Sequence, residues 1–166
     1  MLKRRSLFAI LGLSSLGSAL AALLGRAATA DAASPAADPA WQLSDSQWQE
    51  RLSPESYAVL RREATERPFS SALNAEKRPG TYRCAGCELP LFRSEAKYDS
   101  GTGWPSFFAA LPEAIGSRRD FKLIVPRTEY HCSRCGGHQG HVFNDGPRPT
   151  GRRYCNNGVA LSFEAD

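Results

Sequence analysis

Two pairs of cysteines constrain the fold of this chain more than any other feature of its sequence. Cys84 and Cys87 form one C-x-x-C pair, Cys132 and Cys135 form another, and 44 residues separate the two pairs. Four thiolates in two such pairs suit one tetrahedral metal ion. Glycine lies within the first pair and directly after the second, where the chain must turn tightly. The sequence therefore predicts a four-cysteine metal site with one structural zinc ion per chain.

Two other interpretations of these cysteines remain open from the residues alone. Two disulfides would suit an oxidising compartment, although a disulfide within C-x-x-C closes a very small loop and is more typical of redox catalysis than of structure. Iron also accepts four thiolates, as in a rubredoxin-like site. With either metal the site has no open coordination position, so we expect it to stabilise the fold rather than to perform chemistry.

Cys155 is the one cysteine outside the two pairs. Arginines precede it and two asparagines follow it, an environment that can stabilise a thiolate. With His138 or His141 nearby it would be an activated nucleophile, and otherwise it would be a buried, inert cysteine. The two histidines are three residues apart, so they face opposite sides if the segment is extended and share a side only if the segment bends.

Residues 1–30 carry the whole excess of positive charge. The 166-residue chain has a formal net charge of +4, and these 30 residues hold four basic residues and no acidic one, which leaves the remainder neutral. A neutral remainder disfavours nucleic acid as a partner. Arg4 and Arg5 precede an apolar run that ends at a small-residue site near Ala30, which predicts an export signal of the twin-arginine or general secretory type. We expect cleavage there and a bacterial periplasmic location, with an uncleaved membrane anchor as the alternative.

The rest of the chain predicts a linker over residues 31–40 and one domain over residues 41–166. Ser44 and Ser53 predict the starts of two short helices. Beyond Pro68 glycine and proline become frequent and apolar runs shorten to strand length. Strands are predicted at 82–84, 89–93, 121–125, 141–143 and 159–163. This pattern indicates an α+β domain, mostly β, with antiparallel sheets.

Five ordered motifs cover nearly all of residues 41–166 and carry a resemblance to a known family. They are ERPF at 66–69, YRCAGC at 82–87, SGTGWPSF at 100–107, CSRCGGHQGHVF at 132–143 and RYCNN at 153–157. Together they resemble the peptide methionine-R-sulfoxide reductases of the B type. The resemblance implies two small antiparallel sheets, short N-terminal helices and a structural zinc ion on the far side from the active site.

The resemblance also implies roles for individual residues. Cys155 would be the nucleophile that attacks the sulfoxide sulfur and becomes a sulfenic acid. His138, His141 and Asn157 would position and protonate the sulfoxide oxygen, because sulfoxide sulfur is a weak electrophile until its oxygen accepts a proton. Trp104 would line the pocket for the methyl group on sulfur.

Three residues assigned to substrate binding keep a second interpretation. Trp104 is either a pocket wall or a loop aromatic that packs on the core. Phe143 lines either the pocket or the core. Arg153 either stabilises the thiolate or is a solvated surface charge. Asp145, two residues after Phe143, either belongs to a turn or orients a histidine.

The loop at 100–104 departs from the family pattern. Many members carry a second, resolving cysteine there, whereas this chain has Thr102 and no sixth cysteine. We therefore expect a one-cysteine cycle in which an external thiol, either a thioredoxin-like protein or a small thiol, reduces the sulfenic acid. The expected substrates are proteins or peptides with oxidised methionine, and nothing in the sequence demands more than a monomer.

Two functions from other classes remain as alternatives. A zinc-ribbon module that binds nucleic acid or protein would need a basic or aromatic recognition face and no Cys155. A rubredoxin-like electron carrier would hold iron in the four-cysteine site. Neither alternative explains Cys155 together with the two histidines.

Overall fold

The computed structural model describes residues 38–166. The predicted export signal and residues 31–37 of the predicted linker lie outside the described residues. The described chain begins against the second cysteine pair, because the main-chain N–H of Asp38 donates to the carbonyl oxygen of Arg134 at 2.9 Å. No helix within residues 38–166 combines the length and the apolar character that a membrane crossing requires.

Two short helices open the domain, as predicted. Helix α1 spans Asp45–Arg51 and helix α2 spans Pro54–Arg62. The Ser44 side chain caps α1 in a reciprocal pair with Gln47, and the Ser53 side chain caps α2, which has proline in its first turn. These hydrogen bonds confirm the predicted helix starts, and the helices bury Trp48 of α1 and Val59 and Leu60 of α2.

Three strands form the smaller antiparallel sheet. They are β1 (Gly80–Cys84), β2 (Pro90–Arg93) and β9 (Leu161–Ala165), and β1 lies in the centre. The predicted strands at 82–84 and 89–93 are therefore confirmed. The prediction at 159–163 is confirmed only in its second half, because Gly158–Ala160 forms a 3₁₀ turn before β9 begins.

Six strands form the larger antiparallel sheet, in the spatial order β3-β4-β8-β7-β6-β5. In chain order they are β3 (Lys97–Tyr98), β4 (Ser106–Phe107), β5 (Ile115–Asp120), β6 (Arg127–Cys132), β7 (His138–Phe143) and β8 (Arg153–Asn156). The predicted strand at 141–143 is the second half of β7. The fold is thus the predicted mostly β architecture with two antiparallel sheets and two short helices.

The predicted strand at 121–125 is wrong. Strands β5 and β6 pair from Ile115 opposite Cys132 to Asp120 opposite Arg127, which leaves the apolar run as the tip of the hairpin. Phe121 is 69% exposed and Ile124 is fully exposed. The strands that do form are polar, so the register of the hairpin overrides the high strand propensity of the apolar run.

An aromatic core joins the two sheets. The smaller sheet contributes Tyr82 and Phe92, and the larger sheet contributes Phe107, Tyr130 and Tyr154. The rings of Phe92 and Phe107 stack with centroids 4.2 Å apart, and Tyr130 meets Tyr154 edge to face at 5.4 Å. These contacts fix the position of β8, the strand that carries Cys155, between β4 and β7.

Candidate active site and metal centre

The four paired cysteines form one buried cluster. Their Sγ atoms all lie within 4.8 Å of one another, with 3.7 Å between Cys84 and Cys135 and 3.4 Å between Cys87 and Cys132. These separations are too long for disulfides, whose sulfurs lie about 2.05 Å apart. They are close to the spacing of about 3.8 Å that four thiolates have around tetrahedral zinc. The cysteines therefore fit a closed four-thiolate metal site.

Arginine side chains hold both turns of the cluster. Arg51 from α1, Arg61 from α2 and Arg134 each donate a hydrogen bond at 3.0 Å to a main-chain carbonyl oxygen of the cysteine-pair turns. Gly137 packs tightly against α2 and the cluster, since a Cβ atom there would lie 3.0 Å from Leu60 and 3.3 Å from the Sγ atom of Cys135. The helices thus cover the metal centre and exclude solvent from it.

A β-bulge in β7 places both histidines on one side of the sheet. In the pairing of β6 with β7, Tyr130 lies opposite Gly140 and His131 lies opposite His138, so Gln139 has no partner. The extra residue reverses the usual alternation of side chains. The rings of His138 and His141 consequently lie 5.5 Å apart. This answers the question that the spacing of the histidines left open.

His141 is held by a carboxylate that the sequence analysis missed. Its Nε2 atom lies 2.7 Å from Asp120 Oδ2, which also accepts a hydrogen bond from Arg127 at 2.7 Å. A hydrogen bond from the main-chain N–H of Lys122, together with His141 and Arg127, keeps the pKa of Asp120 well below its usual range. Burial lowers the pKa of His141, although the hydrogen bond to Asp120 opposes this shift.

His138 lies behind His141 and is almost fully buried. Its Nδ1 atom lies 2.9 Å from Glu129 Oε1, and His131 and Arg118 contact Glu129 Oε2 at 3.2 and 3.0 Å. Burial opposes ionisation of Glu129, but the hydrogen bonds from His131 and His138 outweigh it and lower its pKa to about 2. The Glu129 carboxylate therefore orients the His138 ring.

Cys155 lies on β8 directly opposite His141, with Ser106 on its other side. Burial raises the pKa of its thiol, while the charge of Arg153 and a hydrogen bond with the Thr102 hydroxyl act in the opposite direction. The same Thr102 hydroxyl lies 2.8 Å from the Ser100 hydroxyl. The Thr102 side chain, in the loop where the sequence analysis noted the missing cysteine, is thus one of the groups that favour the thiolate form of Cys155.

Cys155 opens into a cleft of about 130 Å³. The cleft is lined by residues from the three central strands of the larger sheet and from the loops that face them: Thr65, Trp104, Arg127, Gly140, His141, Phe143, Cys155, Asn156 and Asn157. The predicted residues Cys155, His141, Asn157, Trp104 and Phe143 are therefore brought together in it. His138 and Arg153 are not in the lining, and they contact the cleft through neighbouring residues.

The loop at 65–69 fixes the Trp104 wall of the cleft. The indole N–H of Trp104 donates to the carbonyl oxygen of Glu66 at 3.1 Å. The Glu66 carboxylate in turn accepts hydrogen bonds from the main-chain N–H groups of Gly158 and Val159. Trp104 is thus a cleft residue whose ring orientation is set by main-chain contacts.

Most of the described chain matches a known protein family. A protein-family model described as the SelR domain matches residues 52–165. The chain belongs to the SelR domain family. Proteins named peptide methionine sulfoxide reductase MsrB are similar to it: the one from Agrobacterium fabrum is 51% identical over 122 residues, which cover 73% of this chain and 90% of that protein.

Two further relatives show how widely this SelR domain is shared. The MsrB protein of Thiobacillus denitrificans is 54% identical over 121 residues, covering 72% of this chain and 92% of that protein. The chloroplastic peptide methionine sulfoxide reductase B1 of Arabidopsis thaliana is 47% identical over 124 residues, 74% of this chain and 61% of that protein. These matches do not favour a zinc-ribbon module or a rubredoxin-like carrier.

Asn157 and Arg153 both make hydrogen bonds that hold the segments around the cleft. The side chain of Asn157 accepts a hydrogen bond from the main-chain N–H of Glu66 at 3.1 Å and donates to the carbonyl oxygen of Gln139 at 3.0 Å. Arg153 makes two hydrogen bonds of 2.9 Å to Asp145 and lies 4.3 Å above the Phe143 ring. Asn157 therefore ties the loop at 65–69 to β7, and Asp145 orients an arginine rather than a histidine.

Sequence reasoning missed several residues that organise this SelR domain. Asp120, Arg127 and Glu129 belong to a hairpin that is rich in charged residues, a composition that is also typical of solvated strands. Gln139 lies between two predicted histidines and carries no signal of its own. One signal was available for Glu66, because it opens one of the five motifs.

Proposed function

We propose that this chain reduces the R epimer of methionine sulfoxide, mainly in peptides and proteins, to methionine, with an external thiol as the reductant. One observation carries the proposal: the one cysteine outside the metal cluster faces His141 and Trp104 in a single cleft. The names of the relatives support the same reaction. The preference for the R epimer rests on the resemblance of the five motifs.

The chemistry follows from the arrangement of the cleft. The imidazolium form of His141 protonates the sulfoxide oxygen, which makes the sulfur electrophilic. The Cys155 thiolate then attacks that sulfur, and the oxygen ends on Cys155. Methionine sulfur is reduced by two electrons, Cys155 is oxidised by two electrons to a sulfenic acid, and methionine leaves.

The remaining predicted residues position the substrate and the proton donor. Trp104 and Phe143 form apolar walls for the methyl group on sulfur, and Arg153 stabilises the Cys155 thiolate. His138 supports His141 from behind, and Asn157 holds the two segments that border the cleft. These two residues therefore act on the sulfoxide oxygen through the geometry of His141.

Regeneration of Cys155 requires a thiol from outside the chain. The four other cysteines belong to the metal cluster, and their release would cost the stability that the metal supplies. Two molecules of a small thiol, or one thioredoxin-like dithiol protein, convert the sulfenic acid to a thiol and release water and a disulfide. The Thr102 position favours this one-cysteine cycle.

We further propose that the cluster holds one zinc ion with a purely structural role. Soft thiolate donors and tetrahedral spacing suit zinc, and a closed set of four ligands leaves no position for substrate. We also propose export to the bacterial periplasm by a twin-arginine signal over residues 1–30, with cleavage near Ala30 and a monomeric mature protein. The charge and small-residue pattern of that segment supports this location.

The test is an assay with separate R and S epimers of methionine sulfoxide, free and within a peptide. We expect wild-type protein to reduce only the R epimer and to prefer the peptide. Cys155→Ser should lose activity by roughly 10³-fold or more while it retains its metal. Activity on neither epimer, or full activity of Cys155→Ser, would overturn the proposal. After one turnover without reductant, a sulfenate reagent should label Cys155, whereas an intramolecular disulfide would contradict the one-cysteine cycle.

A further inference from the structure

Gln139 is the residue that contacts both cysteine sites. It is fully buried, at 0% exposure, at the bulge between His138 and Gly140. Its side-chain N–H donates to the Sγ atom of Cys84 at 3.3 Å. Among the described residues, no other side chain outside the cluster makes a hydrogen bond to one of its sulfur atoms.

The two carbonyl oxygens of Gln139 contact residues that line the cleft. Its side-chain carbonyl oxygen lies 3.4 Å from the side-chain nitrogen of Asn156, whose own oxygen accepts a 2.5 Å hydrogen bond from the Tyr130 hydroxyl. Its main-chain carbonyl oxygen accepts two hydrogen bonds from Asn157, at 2.9 Å from the main chain and 3.0 Å from the side chain. Both asparagines directly follow Cys155 and line the cleft.

We propose that Gln139 is a positioning residue that couples the metal cluster to the Cys155 cleft, with its N–H on the Cys84 thiolate and its carbonyl oxygens on Asn156 and Asn157. An amide N–H that donates to a metal-bound thiolate stabilises the charge on sulfur and fixes the donor in place. A fully buried amide whose partners are lost must move or remain unsatisfied. A change at the cluster therefore reaches the bulge and the two asparagines through one side chain.

This inference rests on the proposed function only in treating Cys155 as the nucleophile and zinc as the metal. Its physical content concerns hydrogen bonds that can be measured without turnover. An inactive but correctly coupled protein would overturn the proposed function alone. An active protein without the coupling would overturn the inference alone.

The first experiment replaces the metal with ¹¹³Cd in otherwise wild-type protein. A hydrogen bond to a cadmium-bound sulfur transmits a scalar coupling, so a proton–cadmium correlation spectrum should show the Gln139 side-chain amide. The side-chain amide resonances of Asn156 and Asn157 should also shift between the zinc and cadmium forms. Absence of the Gln139 correlation would overturn the inference, and this arm needs no variant to fold.

The second experiment compares Gln139→Leu with a matched control, Ser133→Ala. Leucine is similar in size to glutamine but has no polar atoms, so it removes both side-chain hydrogen bonds. Ser133 is adjacent to Cys132, and its hydroxyl donates to the carbonyl oxygen of Glu113, away from the cluster sulfurs and the cleft. We expect zinc transfer to a colorimetric chelator to be about tenfold faster in Gln139→Leu and unchanged in Ser133→Ala.

The two experiments together separate coupling from a general loss of structure. In Gln139→Leu the resonances of Asn156 and Asn157 should no longer respond when zinc is replaced by cadmium, whereas in Ser133→Ala they should respond as in wild type. Zinc release at the wild-type rate in Gln139→Leu, or a metal response of the asparagines that persists in that variant, would overturn the inference.

Discussion

The metal centre and the Cys155 cleft contain the same functional group in opposite settings. In the metal centre four thiols are buried together within 4.8 Å and their turns are held by arginines. In the cleft a single thiol lies across a strand pair from His141 and opens to solvent. The chemistry of each cysteine is thus set by its neighbours: sulfur neighbours favour a closed metal site, and an acid and an aromatic wall favour reaction.

Removal of the metal should produce the largest effect, and it should act on the fold rather than on the thiol chemistry. The binding free energy of a structural zinc site is on the order of 10 kcal/mol, so we expect the chelated protein to unfold. Thermal unfolding followed by circular dichroism, with and without a chelator, measures this loss. Cys155→Ser is the control, and it should show the same loss. A chelated protein that keeps its melting temperature would contradict a structural role for the cluster.

Substitution of His141 should impair the cleft and leave the metal centre intact, the reverse of metal removal. We expect His141→Asn to lower kcat by about 10² to 10⁴-fold, because the cleft then lacks its acid, and to leave the zinc content at one per chain. Asp120→Asn should have a smaller effect of roughly tenfold, since it only loosens the ring. Steady-state kinetics and metal analysis provide the measurements. A His141→Asn enzyme with a wild-type rate, alongside an inactive His138→Asn enzyme, would assign the proton donor to His138.

Acid should weaken the cleft side of the larger sheet through Glu129. Its pKa falls from 4.5 to about 2 on folding, so its ionised form contributes stability that is complete above pH 4.5 and is lost as the pH falls towards 2. This contribution is on the order of 3 kcal/mol. We expect Glu129→Gln to be less stable than wild type by about that amount at pH 6.5, and the difference to shrink as the solution is acidified.

Denaturant unfolding of both proteins across this pH range measures the difference in unfolding free energy. Because the metal-free protein is expected to unfold, the metal content of each protein is measured at every pH, and the two are compared only where both retain the metal. A difference that does not begin to shrink as the pH approaches 4.5 and falls below it would show that the Glu129 charge does not stabilise the fold.

The sequence predicted the metal centre better than the cleft, and the reason is physical. The ligands of a four-thiolate site can be recognised from residue type and local spacing, as Cys84 and Cys87 can. The cleft depends on the bulge at Gln139, which reverses the facing of His138 relative to His141, and a single-residue bulge leaves no periodic signal. The family resemblance named both histidines, but only the pairing of β6 with β7 brings them to the same face.

The hairpin of β5 and β6 shows why local propensity failed elsewhere. Phe121 and Ile124 belong to the most strand-like stretch of the region, yet they form an exposed tip. Asp120 and Arg127, the last strand pair before the tip, contact each other, and Asp120 also contacts His141. The register therefore places charged residues rather than apolar ones beside the cleft. A long-range pairing of this kind cannot be derived from the composition of one segment.

The smallest expected effect concerns the electrostatic environment of Cys155. Burial raises the pKa of this thiol and the charge of Arg153 opposes the rise, so Arg153→Met should move the pKa further up and reduce the thiolate present at pH 7.5. We expect alkylation by iodoacetamide to slow by about threefold or more. In metal-loaded protein this reaction reports on Cys155, because the other four cysteines are ligands. Arg152→Met is the matched control, since Arg152 contacts the Tyr154 hydroxyl instead. Equal rates for the two variants would mean that Arg153 does not tune the thiol, and the contrast between the two sites would then rest on His141 alone.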